Sequence, residues 1–368
     1  MENPHNIKKT CLNDQHRLLG AKMVEFGGFD MPIEYSDIVS EHNAVRTSAG
    51  VFDVSHMGEV RVSGPQAIEM VNHIFTNDVT PIANGQIVYG MMLHPDGGTI
   101  DDLLVYRLAD HDFLLVINAA NIDKDVAHIL SQAKPYNVSV EHLSDSCGEL
   151  ALQGPDSPRI MKDVLSLDVD DLTFYTFKIT HLDGQQVIVS RTGYTGEDGF
   201  EIYASHELTV KLWQQLMAAG VTPCGLGCRD TLRFEAGLPL YGDELTDTIS
   251  PVEAGLSMFL KPDKEGGFIG RDAVATQKAN GPKRRVVGLE LQGPGIARHG
   301  YQVLDDQGMT IGEITTGYHS ITLDKSIAMA LIDSRYAAQG TQLLIQIRRR
   351  TVPAIVVKKR FYTPNYKK

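Results

Sequence analysis

The sequence is poor in cysteine. Only Cys11, Cys147, Cys224 and Cys228 occur among 368 residues. Their spacing offers no paired C-x-x-C knuckle and no disulfide framework. The three residues inside "CGLGC" suit neither a redox motif nor a zinc motif, so the four read as reduced thiols in packed positions. Long apolar runs are also missing, and none approaches the ~18 residues of a membrane span. The opening "MENPHNIKKT" lacks the apolar centre of a secretory signal and the Arg- and Ser-rich character of a transit peptide. A soluble, cytoplasmic, bacterial protein with no membrane partner is expected.

Several chemistries lack their motifs. There is no GxxxxGK[ST] phosphate loop, no GxGxxG after a strand, no GxSxG elbow and no HExxH helix. Thirteen histidines are scattered without ligand spacing, so no metal is expected. Internal repeats and low-complexity tracts are absent. The net charge of −12 argues against nucleic acid as a partner. That charge is uneven. Residues 281–368 carry 14 basic and 6 acidic side chains, net +8, against −20 for the rest. Such a basic region suits an anionic ligand or partner, or is simply a solvated surface.

The length suggests two or three domains, and 42% hydrophobic residues suffice for substantial cores. "EVRVSG" (59–64) alternates like a strand. In "PQAIEMVNHIFTND", Ile68, Val71, Ile74 and Phe75 share a helical face, with Pro65 in the first turn. "NGQIVYGMML", "TIDDLLVYRL" and "DFLLVINAAN" read as an antiparallel meander with turns at "HPDGG" and "ADHD". "QQVIVS" and "GFEIYA" flank "RTGYTGED" as a further hairpin. "GLGCRDTLRFEAGL" reads as a glycine turn opening a short helix, with Gly237 near its end. Residues 260–285, charged and Gly-rich, form a candidate linker. Six short strand-like segments follow and suggest a small β-barrel. The fold class is α+β: two mixed antiparallel-sheet domains and an all-β C-terminal domain.

Two carboxylates, Asp101 and Asp102, enter an apolar strand in "GGTIDDLLVYRL". Neighbours in a strand point to opposite faces. Asp101 therefore goes with Leu103, Val105 and Arg107, and Asp102 with Ile100, Leu104 and Tyr106. A poorly solvated carboxyl has a raised pKa unless donors or a cation compensate, an arrangement that catalytic sites use. The alternative is a turn role after Gly97–Gly98, accepting backbone N–H bonds. In "TGYTGEDGFEIY", Glu197 lies in a glycine loop and Glu201 in the strand after it. Glu201 faces away from Phe200 and Ile202. Its carboxylate suits a bidentate partner: an arginine, or a guanidine-like ring edge such as a pterin presents. Arg229 and Arg233 lie four apart on the presumed helix. Arg229 is near its N-terminus, which favours anions.

Taken together, "HNAVRTSAGVFDVSHMGEVRVSG", "GGTIDDLLVYRL", "LALQGPDSP", "SRTGYTGEDGFEI", "PCGLGCRDTLRFEAGLPLYGDEL" and "FIGRDA" run in family order across nearly the whole chain. The sequence resembles the aminomethyltransferase, or T-protein, of the glycine cleavage system. The resemblance implies a three-domain cloverleaf with folate in a central opening. It implies a discontinuous first domain (1–52 plus 150–250), a second (53–149), a linker region (251–285) and a barrel (286–368). It also implies the reaction. A one-carbon unit passes from the aminomethyl-lipoyl arm of H-protein to tetrahydrofolate, releasing ammonia. No flavin is implied, and a monomer that meets H-protein transiently is expected.

The family's catalytic aspartate corresponds to the first of the pair, Asp101, which leaves Asp102 structural. Glu201, with Tyr194 nearby, is expected at the pterin. Met57, Tyr89, Asn118, Phe174, Arg229, Arg298 and Tyr366 match other ligand-contacting positions. Met258 stands where the family often has tryptophan, giving a flexible thioether for a stacking ring. The basic C-terminal region would meet folate's glutamate tail or an acidic H-protein. Relatives of this fold include folate-dependent demethylases and a non-catalytic folate-binding scaffold, which stand as the alternatives.

Overall fold

The computed structural model describes residues 7–364. Its strands form a short hairpin, two larger sheets and a closed barrel. The hairpin is β1 (Lys22–Phe26) and β2 (Phe29–Glu34). The first large sheet holds β3 (Gly50–Asp53), β9 (Cys147–Gln153), β10 (Phe177–Leu182), β11 (Gln185–Ser190), β12 (Gly199–Ser205) and β13 (Thr222–Pro223). Its order is β10-β11-β12-β9-β3-β13. The chain leaves this sheet after β3 and returns at β9.

Between those points it builds the second sheet: β4 (Gly58–Ser63), β5 (Ile87–Leu93), β6 (Thr99–Ala109), β7 (Asp112–Ile117) and β8 (Ser139–His142). The order is β5-β6-β7-β4-β8, so the expected meander is present. The barrel closes as β14-β17-β16-β15-β18-β19. Its strands are β14 (Arg284–Leu291), β15 (Gln302–Leu304), β16 (Thr310–Ser320), β17 (Lys325–Asp333), β18 (Gln342–Ile347) and β19 (Arg350–Val357). All six segments expected from the sequence contribute a strand.

Among the described residues, eight α-helices cover the sheets: α1 (Asn13–Leu18), α2 (Ile38–Thr47), α3 (Ala67–Ile74), α4 (Ile122–Ala133), α5 (Ser157–Asp163), α6 (His206–Ala218), α7 (Leu226–Glu235) and α8 (Arg271–Asn280). Local chemistry sets their starts. The Asp37 carboxylate accepts the Ser40 N–H at 2.8 Å to open α2, and Ser205 caps α6. α7 begins differently. Gly225 presses so close to the hairpin that a Cβ would stand 2.3 Å from the Ile33 carbonyl oxygen. Its bare N–H donates to buried Glu41 at 2.8 Å. Glu41 also accepts the N–H groups of Tyr35 and Ser36. Its carboxylate lies beside the thiols of Cys224 and Cys228, but those three backbone bonds already hold it. All four cysteines are free thiols.

Each sheet has its own core. Val51, Leu150, Leu152, Phe200 and Trp213 centre the first, and Val60, Met70, Phe75, Val105 and Leu115 the second. Leu289, Val303, Ala330 and Ile345 fill the barrel. A smaller cluster joins the facing sheets: Ile87, Tyr106, Leu114 and Val116 meet Phe177 and Tyr203. Each such aliphatic or aromatic side chain contributes about 1.5–3 kcal/mol by leaving water. The candidate linker at 260–285 is ordered. It includes α8, and Lys264 is buried, donating to Asn72 Oδ1 at 3.1 Å and to the carbonyls of Phe75 and Asn77.

Candidate functional site

A cavity of about 270 Å³ opens where the two sheets face each other, near α7. Segments 237–241 and 256–259 complete its wall. The first sheet supplies the floor. On β12, Glu201 lies opposite Ala151 of β9, and Tyr203 opposite Glu149. This register puts two carboxyls, Glu201 and Glu149, side by side on one face. Thr192 Oγ1 donates to Glu201 at 2.5 Å. Burial raises the pKa of Glu201, opposed by the Thr192 bond and by Arg229. Burial also lifts Glu149 well above the carboxylate range, and the charges of Glu201 and Glu59 add to it.

Arg229 comes from the first turn of α7. Its guanidinium lies 4.7 Å from the centre of the Tyr194 ring, a cation–π pair. Tyr194 donates its hydroxyl to the Pro239 carbonyl. Arg233, one turn on, is committed elsewhere: it is buried, with Glu244 at 2.8 Å and Asp230 at 2.7 Å. On the cavity wall, Arg229 Nη1, His56 Nδ1 and Glu149 Oε2 are buried and have no hydrogen-bond partner among the described residues. Burial depresses the pKa of His56 to about 4, so it is neutral near pH 7. A guanidinium N–H, an imidazole nitrogen and a carboxyl oxygen left unpaired along one cavity wall suit a polar ring rather than an apolar guest.

The second sheet supplies the other end, and here the structure places the two aspartates apart. Asp102 lines the cavity, and Asp101 does not. Asp101 is fully buried behind the wall. It accepts Asn118 N–H at 2.9 Å, Asn118 Nδ2 at 2.9 Å and Asn121 Nδ2 at 2.6 Å. Alternation along β6 explains the split. Leu103 and Val105, on the Asp101 face, belong to the second sheet's own core. Leu104 and Tyr106, on the Asp102 face, point toward the first sheet. Ile100 breaks the alternation and joins the core. The ladder pairs Met92 with Asp101 and Leu93 with Thr99, so Ile100 is the extra residue of a bulge.

Asp102 is held from two sides. Tyr89 Oη donates to it at 2.9 Å and Asn118 Nδ2 at 3.2 Å. Its pKa is nevertheless pushed up to about 7, first by burial and then by the charge of Asp101; the two donors act in the opposite direction. The Phe259 ring meets Tyr89 edge-on at 4.8 Å and borders the same cavity.

Residues 12–264 match the family described as the GCVT N-terminal domain. Residues 284–363 match the glycine cleavage T-protein C-terminal barrel domain. The chain belongs to the glycine cleavage T-protein family. It is 49% identical to an aminomethyltransferase of Caldanaerobacter subterraneus subsp. tengcongensis, over 99% of this chain and 98% of the other. It is 47% identical to one of Thermoanaerobacter pseudethanolicus, over 99% and 100%. The solved aminomethyltransferase T of the glycine cleavage system from Bartonella henselae superposes with a TM-score of 0.93 at 32% identity, covering 99% of this chain and 100% of that one. This T-protein is therefore a folate-dependent aminomethyltransferase with the expected α+β fold and closed barrel. Among the described residues, no helix is long and apolar enough to cross a membrane.

The cavity of this T-protein gathers Met57, Tyr89, Asn118, Tyr194, Glu201 and Arg229 from the expected set. Phe174 is not on the wall. It is 41% exposed, and its ring meets, at a tilt, that of Tyr175, which does line the cavity. Tyr175 has φ +64°, a left-handed conformation uncommon for a residue other than glycine. Arg298 lies instead in a groove on the barrel with Arg348, Arg349 and Arg350, over the Tyr318 ring at 5.4 Å. Tyr366 lies outside the described residues. Met258 is 73% exposed and fills no gap; its neighbour Phe259 takes the cavity position. Lys359, part of the basic C-terminal region, is held by the Ala254 carbonyl. Sequence reading missed Asp102, Glu149, His56, Tyr175 and Phe259. Only Asp102 had a signal, its shared face with Leu104 and Tyr106.

Proposed function

We propose that the cavity takes tetrahydrofolate with its pterin on the Glu201–Arg229 floor and its reacting nitrogens at Asp102. The observation that carries this reading is the open polarity of the floor. Arg229 Nη1, His56 Nδ1 and Glu149 Oε2 await partners beside a carboxyl that can accept two parallel N–H bonds. Tyr194 and Phe259 supply aromatic walls for a flat ring.

The lipoyl arm of H-protein then brings S–CH₂–NH₂ to the same end. The carbon loses its bonds to nitrogen and sulfur and gains bonds to N5 and N10. The two protons leaving N5 and N10 balance the one gained by ammonia and the one gained by the thiol. Asp102 serves this exchange in two ways. Its carboxylate stabilises positive charge as an iminium-like carbon develops. Its elevated pKa, near working pH, suits it to pass a proton. Tyr89 and Asn118 fix its orientation before the carbon arrives.

The test pairs product and binding measurements. Ammonia and 5,10-methylenetetrahydrofolate are followed together from aminomethylated H-protein. Asp102→Asn is expected to lower kcat by about 10²–10³-fold, with the Kd for tetrahydrofolate within a few-fold of the parent. Full activity in this variant would remove Asp102 from the chemistry.

A further inference from the structure

Behind Asp102 stands a second pair of carboxyls. Asp101 on β6 and Asp125 on α4 are both fully buried. Their surroundings differ. Three N–H donors from Asn118 and Asn121 converge on Asp101. Among the described residues, neither oxygen of Asp125 meets any donor. The nearest cation, Lys124 Nζ, stands 4.0 Å from Asp125 Oδ1. It donates instead to the Ile100 carbonyl at 2.5 Å and to the Tyr241 hydroxyl at 3.0 Å. A carboxylate with no donor, buried beside a second carboxylate, is the costliest arrangement two acids can adopt. One proton resolves it. Placed on Asp125, it turns an orphaned acceptor into a donor toward Asp101.

We infer that Asp101 and Asp125 hold a single proton between them, on Asp125, and that the remaining charge on Asp101 sets the protonation of Asp102. This rests on the proposed role of Asp102. Asp125 is then a positioning residue: its O–H and the two asparagines fix Asp101. The same Asn118 that donates to Asp101 also donates to Asp102, so orientation and charge reach the cavity through one side chain. Burial drives the Asp125 carboxyl far above its ordinary range, and the charge of Asp101 drives it further. The groups facing the three acids are few. Tyr89, Tyr175 and Tyr194 face Asp102, and Lys124 and Tyr241 face the buried pair. The tyrosines stay neutral at working pH, since burial raises each of them. Lys124 is the one cation in this group among the described residues.

The sign follows. Asp101's charge disfavours a second charge on Asp102, so neutralising it lets Asp102 ionise at lower pH. The titration of Asp102 is read in the full-length, ligand-free protein from carbon-13 shifts of carboxyl-labelled aspartate. The acid limb of turnover is read separately. With Asp101→Asn, both midpoints are expected to fall by about one pH unit. One unit below the parent's midpoint, the fraction of plateau turnover then rises about fivefold. Asp125→Asn keeps an N–H donor toward Asp101 and the charge on Asp101, so both midpoints stay. It also removes a protonated-aspartate infrared band that the parent retains at about pH 9, above the Asp102 titration.

Two results overturn the inference: unmoved midpoints in Asp101→Asn, or a parent lacking the band that Asp125→Asn deletes. Should Asp101→Asn fail to fold, the Asp125→Asn band decides. If no form turns over, the transfer reading falls alone, because the ligand-free titrations still answer for the pair.

Discussion

Tyr89 Oη and Asp102 Oδ2 lie 2.9 Å apart, the phenol donating to the carboxylate. The two side chains come from neighbouring strands of one sheet, β5 and β6. The bond favours the charged form of an acid that burial pushes the other way. Tyr89→Phe keeps the ring against Phe259 and deletes only the donor. The pKa of Asp102 should rise above about 7, moving the acid limb of the pH profile to higher pH. A lost hydrogen bond to a charged group costs about 1.5–3 kcal/mol. Turnover at pH 7 should therefore fall about tenfold or more, while the Kd for tetrahydrofolate stays within a few-fold. A pH–rate series on both proteins checks this.

Glu201 tests the floor. Glu201→Leu removes the carboxyl to which Thr192 donates and offers the pterin edge no acceptor. Sites built to hydrogen-bond a ligand lose heavily when the acceptor goes. Tetrahydrofolate affinity should fall by about 10²-fold or more, measured calorimetrically. An unchanged Kd would place the pterin elsewhere.

Arg233 ties α7 to the barrel. Its guanidinium meets Glu244 at 2.8 Å and Thr316 Oγ1 at 3.2 Å. Thr315 and Thr316 in turn donate to Glu244. Arg233→Leu leaves Glu244 buried without its cation. Breaking a buried pair from one side costs about 3–5 kcal/mol. A clear fall in the unfolding midpoint is expected by urea denaturation. A loss below about 1 kcal/mol would mean that the threonines suffice.

Glu235 links stability to pH. Burial works against its charge, yet the His42 imidazole and the hydroxyls of Ser320 and Thr322 prevail and bring its pKa down to about 2. The folded value lies below the unfolded one. This contribution is therefore present above about pH 4.5 and is lost as pH falls toward 2. It is worth about 3 kcal/mol at neutral pH. Glu235→Gln should flatten the acid side of the stability curve in that window, as denaturant midpoints at several pH values will show.

The sheets, the meander and the barrel were legible because their strands alternate and their turns carry Gly, Asp and Asn. The linker was not. Its charge and glycine content read as exposed chain, but Lys264 buries its ammonium among carbonyls and α8 forms within it. That Glu201 and Arg229 reach the cavity was legible because a carboxylate on the polar face of a strand and an arginine at a helix start stand out from their apolar neighbours. Phe174 and Tyr175 could not be separated, since two adjacent aromatic residues outside a strand carry no alternation that says which one faces inward. Glu149 and His56 carried no local signal. They meet the ligand space through the β9–β12 register and the loop after β3, and pairings that distant leave no local trace.

The bulge at Ile100 has a consequence for how such chains are compared. Asp101 and Asp102 are the same amino acid, and nothing in their chemistry ranks them. Which of them reaches the cavity is a matter of parity, fixed by an odd or even count of residues along one edge. Were β6 to slip by one position against its neighbours, the two would trade places. An alignment that matches one aspartate pair to another thus inherits a silent ambiguity. Counting from the paired strand, rather than from the motif, resolves it.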